Sequence, residues 1–207
     1  MDGVILDSMP YHVKAWQEAL SEWSLWVPER LLYLHEGAIE PETAVAIFRQ
    51  NQCPINEADF HKILKRQKEI FTQKYQYKIR PYPKVPVLLK RLRDEGWELA
   101  LVTSSHQEIL KKVLPTQILE LMSHVVTGDQ VKRRKPYPDP YLMACTALGA
   151  SQIESLVVEN APAGIRSAKA AGLTCLALTT TLPEQDLNEA DKVLPSHEAL
   201  EEYLCCS

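Results

Sequence analysis

The 207-residue chain holds little cysteine: Cys53, Cys145, Cys175, Cys205 and Cys206 are odd in number, scattered and never spaced as Cys-x-x-Cys. That excludes a disulfide scaffold and a zinc framework, and the expectation is a reduced, cytoplasmic chain. No run approaches the roughly 20 apolar residues of a membrane span. The N-terminus lacks the basic region of a secretory signal and carries Asp2 and Asp7 instead. Positive charge is not in excess either. Lys plus Arg number 23 against 27 Asp plus Glu, a formal net charge of −4, and neither nucleic acid nor an anionic membrane is an expected partner without a basic surface field. Internal repeats and low-complexity tracts are absent. At 45% hydrophobic and 24% charged residues the composition is too apolar for disorder, and the length suffices for a sizeable core.

From Ser8 to about Trp23 the residues His12, Ala15, Trp16, Ala19, Leu20 and Trp23 share one face at helical spacing, with Ser8 as the expected N-cap and Pro10 in the first turn. Helical character continues over Glu42–Gln50 and Glu57–Tyr77 with no strand signal between. At Arg80-Pro81-Tyr82-Pro83 two prolines force extended backbone and mark a boundary. Beyond it strands and helices alternate. Strands are expected at Leu99–Val102, His124–Val126, Ser155–Val158, Thr174–Leu178 and, at an edge, Asp191–Leu194. Helices are expected at Val85–Asp94, Gln107–Val113, Tyr141–Leu148 (N-cap Asp139, Pro140 first), Ala163–Ala171 and His197–Leu204. Short apolar strands alternating with helices indicate an α/β protein with a doubly wound parallel sheet, in which ligands bind at the C-terminal strand ends.

Those ends carry chemistry. After Val102 stand Thr103, Ser104 and Ser105, hydroxyls that suit a phosphate cradle or cap a helix. After Val126 comes the basic run Lys132-Arg133-Arg134-Lys135. Three of its cations are expected on a solvated face, whereas Pro136 fixes the backbone beside Lys135 and can hold it over a site. After Val158, Glu159 and Asn160 offer the oxygen ligands a hard cation prefers, although Asn160 also reads as a helix N-cap.

The order Asp2-Gly3-Val4-Ile5-Leu6-Asp7-Ser8, then Thr103-Ser104-Ser105, then Lys135-Pro136-Tyr137-Pro138-Asp139-Pro140-Tyr141, then Glu159-Asn160-Ala161-Pro162-Ala163-Gly164 resembles the haloacid dehalogenase superfamily. Within it the chain is similar to the β-phosphoglucomutase-like phosphatases, and Asp7 to Trp16 is similar to the start of their helical cap. The resemblance implies a Rossmann-like core over 1–8 and 81–207 with a helical cap over 9–80. It implies Mg²⁺-dependent hydrolysis of a small phosphate monoester, a sugar phosphate or phosphoglycolate. Asp2 matches the general acid and base that also lends its carbonyl to Mg²⁺, Thr103 the hydroxyl residue on the transferring phosphoryl group, and Lys135 the lysine that neutralises its charge. Glu159 and Asn160 match the acidic metal ligands, while Ser104, Ser105, His106, His12 and Gly37 fall where substrate is bound. His12 also reads as a packed helix histidine. The expected partner is a small phosphorylated metabolite, and the expected state a monomer or weak homodimer.

Three departures stand out. The family's nucleophilic Asp would precede Met1, and the first, central strand would precede it too. Methionine commonly fills the middle of the family's Asp-x-Asp motif and the other motif positions keep their chemistry, so the expectation is a product beginning upstream. The alternative is a catalytically dead binding protein. Asn160 stands where Asp is usual, which weakens a metal site without abolishing it. Glu40, three residues after Gly37, stands where phosphomutases carry a phosphate-gripping Arg, and this favours plain hydrolysis over a mutase. A haloacid dehalogenase proper, which needs no Mg²⁺, is disfavoured by Glu159 and Asn160.

Overall fold

The computed structural model describes residues 1–35, 48 and 55–205. The helix expected over Glu42–Gln50 lies outside them apart from Phe48, as do Gly37 and Glu40.

The amphipathic stretch after Ser8 forms α1 (Met9–Glu22), which buries Val13, Ala15, Trp16, Ala19 and Leu20. Ser8 occupies the N-cap position without capping. A short helix not anticipated from periodicity, α2 (Glu29–His35), follows. Next, α3 (Glu57–Ile70) is capped by Asn56, whose side chain accepts from Asp59 N–H, and buries Phe60, Ile63 and Ile70. Trp16 of α1 stacks on Phe60 at 6.0 Å between ring centroids. The helix expected through Tyr77 ends its α-helical part at Ile70. It widens into a π-helical turn over Phe71–Tyr75 and a 3₁₀ turn over Gln76–Lys78.

The chain then returns to its own beginning. Asp7 N–H donates to Arg80 C=O at 2.9 Å and Tyr82 N–H to Ile5 C=O at 3.0 Å, so the Pro81 boundary is stitched to the opening segment. Met1 C=O receives the N–H groups of Val4, Ile5 and Leu6, and Gly3 takes φ +70°, a left-handed conformation that costs glycine little. The result is a tight loop with Asp2 near its start.

Beyond Pro83 the elements alternate: α4 (Val85–Asp94), β1 (Ala100–Val102), α5 (Gln107–Val113), α6 (Thr116–Leu119), β2 (His124–Val126), α7 (Asp139–Leu148), β3 (Leu156–Glu159), α8 (Pro162–Ala170), β4 (Thr174–Leu178), β5 (Lys192–Leu194) and α9 (His197–Cys205). Among the described residues these strands pair in parallel, in two sheets, β1-β2 and β3-β4-β5, and an isolated antiparallel bridge joins Leu6 to Pro81. The α/β reading holds, with β5 at the expected edge. Leu99, Ser155 and Asp191 fall outside their strands and Glu159 closes β3. The α7 N-cap is Pro138, not Asp139, whose carboxylate instead pairs with Arg133. The α8 N-cap is Ala161, not Asn160.

One face of the sheets packs Val102, Val126, Val157 and Ala177 against Tyr141 and Ala144 of α7 and Ile165 and Ala168 of α8. Against the other face, Leu88 and Leu92 of α4 and Leu200 of α9 meet Leu176, Leu178 and Leu194. Between β1 and β3 the sheet is interrupted by a cavity of about 520 Å³ lined by Leu101, Val157, Met1 and Val4, among others. Ile165 is fully buried. Its replacement by Ala is expected to cost about 2–5 kcal/mol, read as a lower urea midpoint at unchanged m-value.

Candidate active site

Every strand-end motif opens onto one cleft of about 430 Å³ between the α1–α3 helices and the sheet. At its floor lies a buried ion pair. Lys135 Nζ sits 2.5 Å from Glu159 Oε1 and donates to Val102 C=O at 3.3 Å; the two side chains are 10% and 8% exposed. Tyr141 OH donates to the same Oε1 at 2.5 Å, and the Asn160 N–H reaches Oε2 at 3.2 Å. Burial alone pushes the Glu159 carboxyl up, but the charge and hydrogen bond of Lys135 override it and hold it below its usual range. Burial also raises the Tyr141 hydroxyl well above its ordinary value, with the Glu159 charge adding to it, so it stays protonated as a donor. Lys135 precedes a cis peptide bond to Pro136. Gly164 is required where it stands, because a Cβ there would lie 2.1 Å from Glu159 Cδ.

Asp2 occupies the opposite wall. Its Oδ1 accepts from Ser8 Oγ at 2.5 Å and lies 3.4 Å from His12 Nε2, and its Oδ2 accepts from Ser105 Oγ at 3.3 Å. Burial would raise its pKa, but the hydrogen bond and charge of His12, the Met1 amine and the Ser8 hydroxyl hold it far below the carboxylate range. Ser8 is thus spent on Asp2 rather than on its helix. His12 reaches Asp2 and also stacks on Phe71 at 4.1 Å between centroids, where the π-helical turn begins.

Thr103, Ser104, Ser105 and His106 all line the cleft. Thr103 is buried and its Oγ1 accepts from Ser105 N–H at 3.1 Å. Asn160 Nδ2 donates to Thr181 Oγ1 at 3.1 Å, and a Cβ at Gly3 would lie 2.0 Å from that Nδ2. The cleft therefore brings together all the expected site residues among those described; Gly37 lies outside them. The cleft also corrects the expectation that Arg134 is one of three solvated cations: Arg134 is half-buried. Its Nε donates to Gly128 C=O at 3.1 Å, its Nη2 to His106 Nε2 at 2.9 Å, and it lines the cleft. Thr181 and Lys68, which borders the cleft, carried no signal in the sequence, whereas Tyr141 closes the motif that begins at Lys135 without any sign of its bond to Glu159.

Among the described residues no three His, Cys, Asp or Glu side chains gather as a metal cage. The donor set that does line the cleft, the Glu159 carboxylate, the Asn160 amide and Asp2 with its backbone carbonyl, is hard and oxygen-rich. It fits a cation that keeps several waters, such as Mg²⁺. The glycines at 3 and 164 leave these side chains room.

Residues 1–178 match the family described as haloacid dehalogenase-like hydrolase. The chain belongs to that family. Among relatives of this haloacid dehalogenase-like hydrolase, hexitol phosphatase A of Escherichia coli (strain K12) is 32% identical over 200 residues, 97% of this chain and 90% of that protein. The fructose-1-phosphate phosphatase of the same strain is 30% identical over 178 residues, 84% of this chain and 90% of that one. A hydrolase from Pseudomonas syringae, solved crystallographically, shares the fold with a TM-score of 0.85 at 22% identity, over 98% of this chain and 94% of that chain.

Replacing Lys135 by Met in this haloacid dehalogenase-like hydrolase leaves Glu159 buried without a counter-charge, at a cost of about 3–5 kcal/mol at neutral pH. In the native chain the Glu159 pKa is depressed on folding, so the pair stabilises above the unfolded carboxyl value of about 4.3 and is lost below it. In the variant burial raises that pKa. The stability gap between the two proteins should therefore narrow as urea titrations are taken from pH 7 to pH 4, and a constant gap would contradict the pairing.

Proposed function

We propose that the chain is the body of an Mg²⁺-dependent phosphatase acting on a small phosphate monoester through an aspartyl-phosphate, whose nucleophile is an Asp immediately before Met1. One observation carries this reading: Asp2, Thr103, Lys135, Glu159 and Asn160 line one cleft with Met1 beside them. Met1 is buried, and its backbone nitrogen lies near enough to Lys135, Asp2 and Glu159 to feel their charges. A carboxylate side chain on a residue joined there by a peptide bond would face the same groups. The cavity between β1 and β3 gives an extended segment leading to Met1 an apolar bed with strand edges on both sides.

In that reading Lys135 and the Thr103 and Ser104 hydroxyls hold the equatorial phosphoryl oxygens while charge builds on them. The nucleophile attacks phosphorus and the alcohol leaves, taking a proton through Asp2. Water then attacks the phospho-aspartate, Asp2 accepts its proton, and inorganic phosphate departs. Asp2 rests as a carboxylate, ready for the second step, and His12 Nε2 at 3.4 Å is placed to supply the proton the first step needs. Mg²⁺, held by the Asp2 carbonyl, Glu159 and Asn160, would supply charge neutralisation at phosphorus. The helices over 9–80 act as a cap that shuts water out of the cleft.

The product carrying the upstream segment should hydrolyse small phosphate monoesters and lose that activity with EDTA. Asp2→Asn should lower kcat by about 10²–10⁴-fold. A fully folded, extended protein inactive on every monoester tried would leave the cleft a binding site only. Asn160→Asp should tighten Mg²⁺, measured by titration calorimetry; equal or weaker binding would remove Asn160 from the metal set.

A further inference from the structure

Asn160 is only 3% exposed, and nearly all of its polar atoms are committed. Its N–H donates to Glu159 Oε2 at 3.2 Å, its C=O accepts from Thr181 Oγ1 at 3.4 Å, and its Nδ2 donates to that same Oγ1 at 3.1 Å. Oδ1 alone has no hydrogen-bond partner among the described residues, and Asn160 lines the cleft. A buried oxygen without a partner is costly unless something in the cleft completes it.

A side-chain amide has two unlike ends. A carboxylate presents oxygen to a cation whichever way round it sits, but an asparagine turned by half a rotation presents Nδ2, whose N–H groups repel the cation. Thr181 decides between the two. Its hydroxyl carries one proton. In the observed orientation that proton goes to Asn160 C=O while a lone pair receives the Nδ2 N–H, so the contact makes two hydrogen bonds. With the amide reversed, the proton would have to turn to Oδ1, the C=O would lose its donor, and one bond would remain. Thr181 does this from behind, since it is not among the residues lining the cleft. Its neighbour Thr180 donates through Oγ1 to Gly3 C=O at 2.6 Å, in the loop that carries Asp2. The two adjacent hydroxyls thus hold Asn160 and the Asp2 loop against each other, at the place where a Cβ on Gly3 would strike Asn160 Nδ2.

We propose that Thr181 is a positioning residue: it turns the Asn160 amide so that Oδ1, and not Nδ2, is offered to the cation. This rests on the metal set of the phosphatase reading above and deepens it, by saying how an asparagine serves where the site needs an oxygen. The dependence on Thr181 belongs to the amide. It vanishes for an aspartate, whose two oxygens are equivalent.

Mn²⁺ binding to the whole chain, followed by electron paramagnetic resonance, tests this. Thr181→Val keeps the shape of the side chain and removes the hydroxyl. It should weaken Mn²⁺ by about tenfold, and Thr181→Ser should stay within about twofold of the native protein. In an Asn160→Asp background the same Thr181→Val change should alter the affinity by less than about twofold. A loss of equal size in both backgrounds would make Thr181 a structural residue only and overturn the proposal, as would no loss in the native background; the metal site would stand in either case. A second reading needs no metal. The Asn160 side-chain amide protons, followed by ¹⁵N-edited NMR, should exchange with solvent more slowly in the native protein than in Thr181→Val, and equal rates would also overturn the proposal. If none of these proteins, Asn160→Asp included, binds Mn²⁺, the metal site itself is wrong and the role of Thr181 falls with it.

Discussion

The ion pair between Lys135 and Glu159 organises the sheet end of this molecule. Two opposite charges taken out of water bear a desolvation cost that only close contact and full hydrogen bonding repay, and the surroundings supply both. Tyr141 OH and the Asn160 N–H complete the carboxylate, while Val102 C=O takes a further ammonium proton. Each partner comes from a different element: β1, the loop before α7, α7 itself and β3. Misplacing any of them would leave a charged group buried without a partner. The pair thereby fixes how the first and second sheets face each other, which van der Waals packing alone specifies less sharply.

The second organising contact lies at the front of the chain. The loop of residues 1–7 uses its own backbone, with Met1 C=O as a shared acceptor, and is then stitched to residues 80–82. The whole helical excursion between them thus starts and ends at one point. Asp2 sits at that point, at the base of the helices, and His12, one turn into α1, lies within reach of it.

How much of this was legible follows from which interactions are local. The strands after Pro83 were readable because short apolar runs ended by glycine, proline or polar residues have few other ways to bury themselves. The strand-end residues Thr103, Lys135, Glu159 and Asn160 followed from the topology rule and the motif order. The misreadings share a cause. Ser8 and Asn160 were read by capping rules that consider only the next turn, yet their side chains found partners in Asp2 and in Thr181, 21 residues away. Arg134 was read as one of a charge run, yet a carbonyl six residues back and His106 hold it. Tyr141 looked like helix body, because nothing in a helical pattern reports that one hydroxyl meets a carboxylate on another element.

The interruption between β1 and β3 has a bearing on how the molecule comes apart. Among the described residues the backbone ladders join β1 to β2 and β3 to β4, with none between β1 and β3. The two halves are joined by the Lys135–Glu159 pair and by an apolar cluster in which Tyr141 and Ala144 of α7 meet residues of both sheets. Among the described residues the coupling of β1 and β2 to β3, β4 and β5 therefore runs through side chains and not through a shared backbone ladder, and substitutions at Lys135 or in α7 would loosen it while leaving each ladder intact.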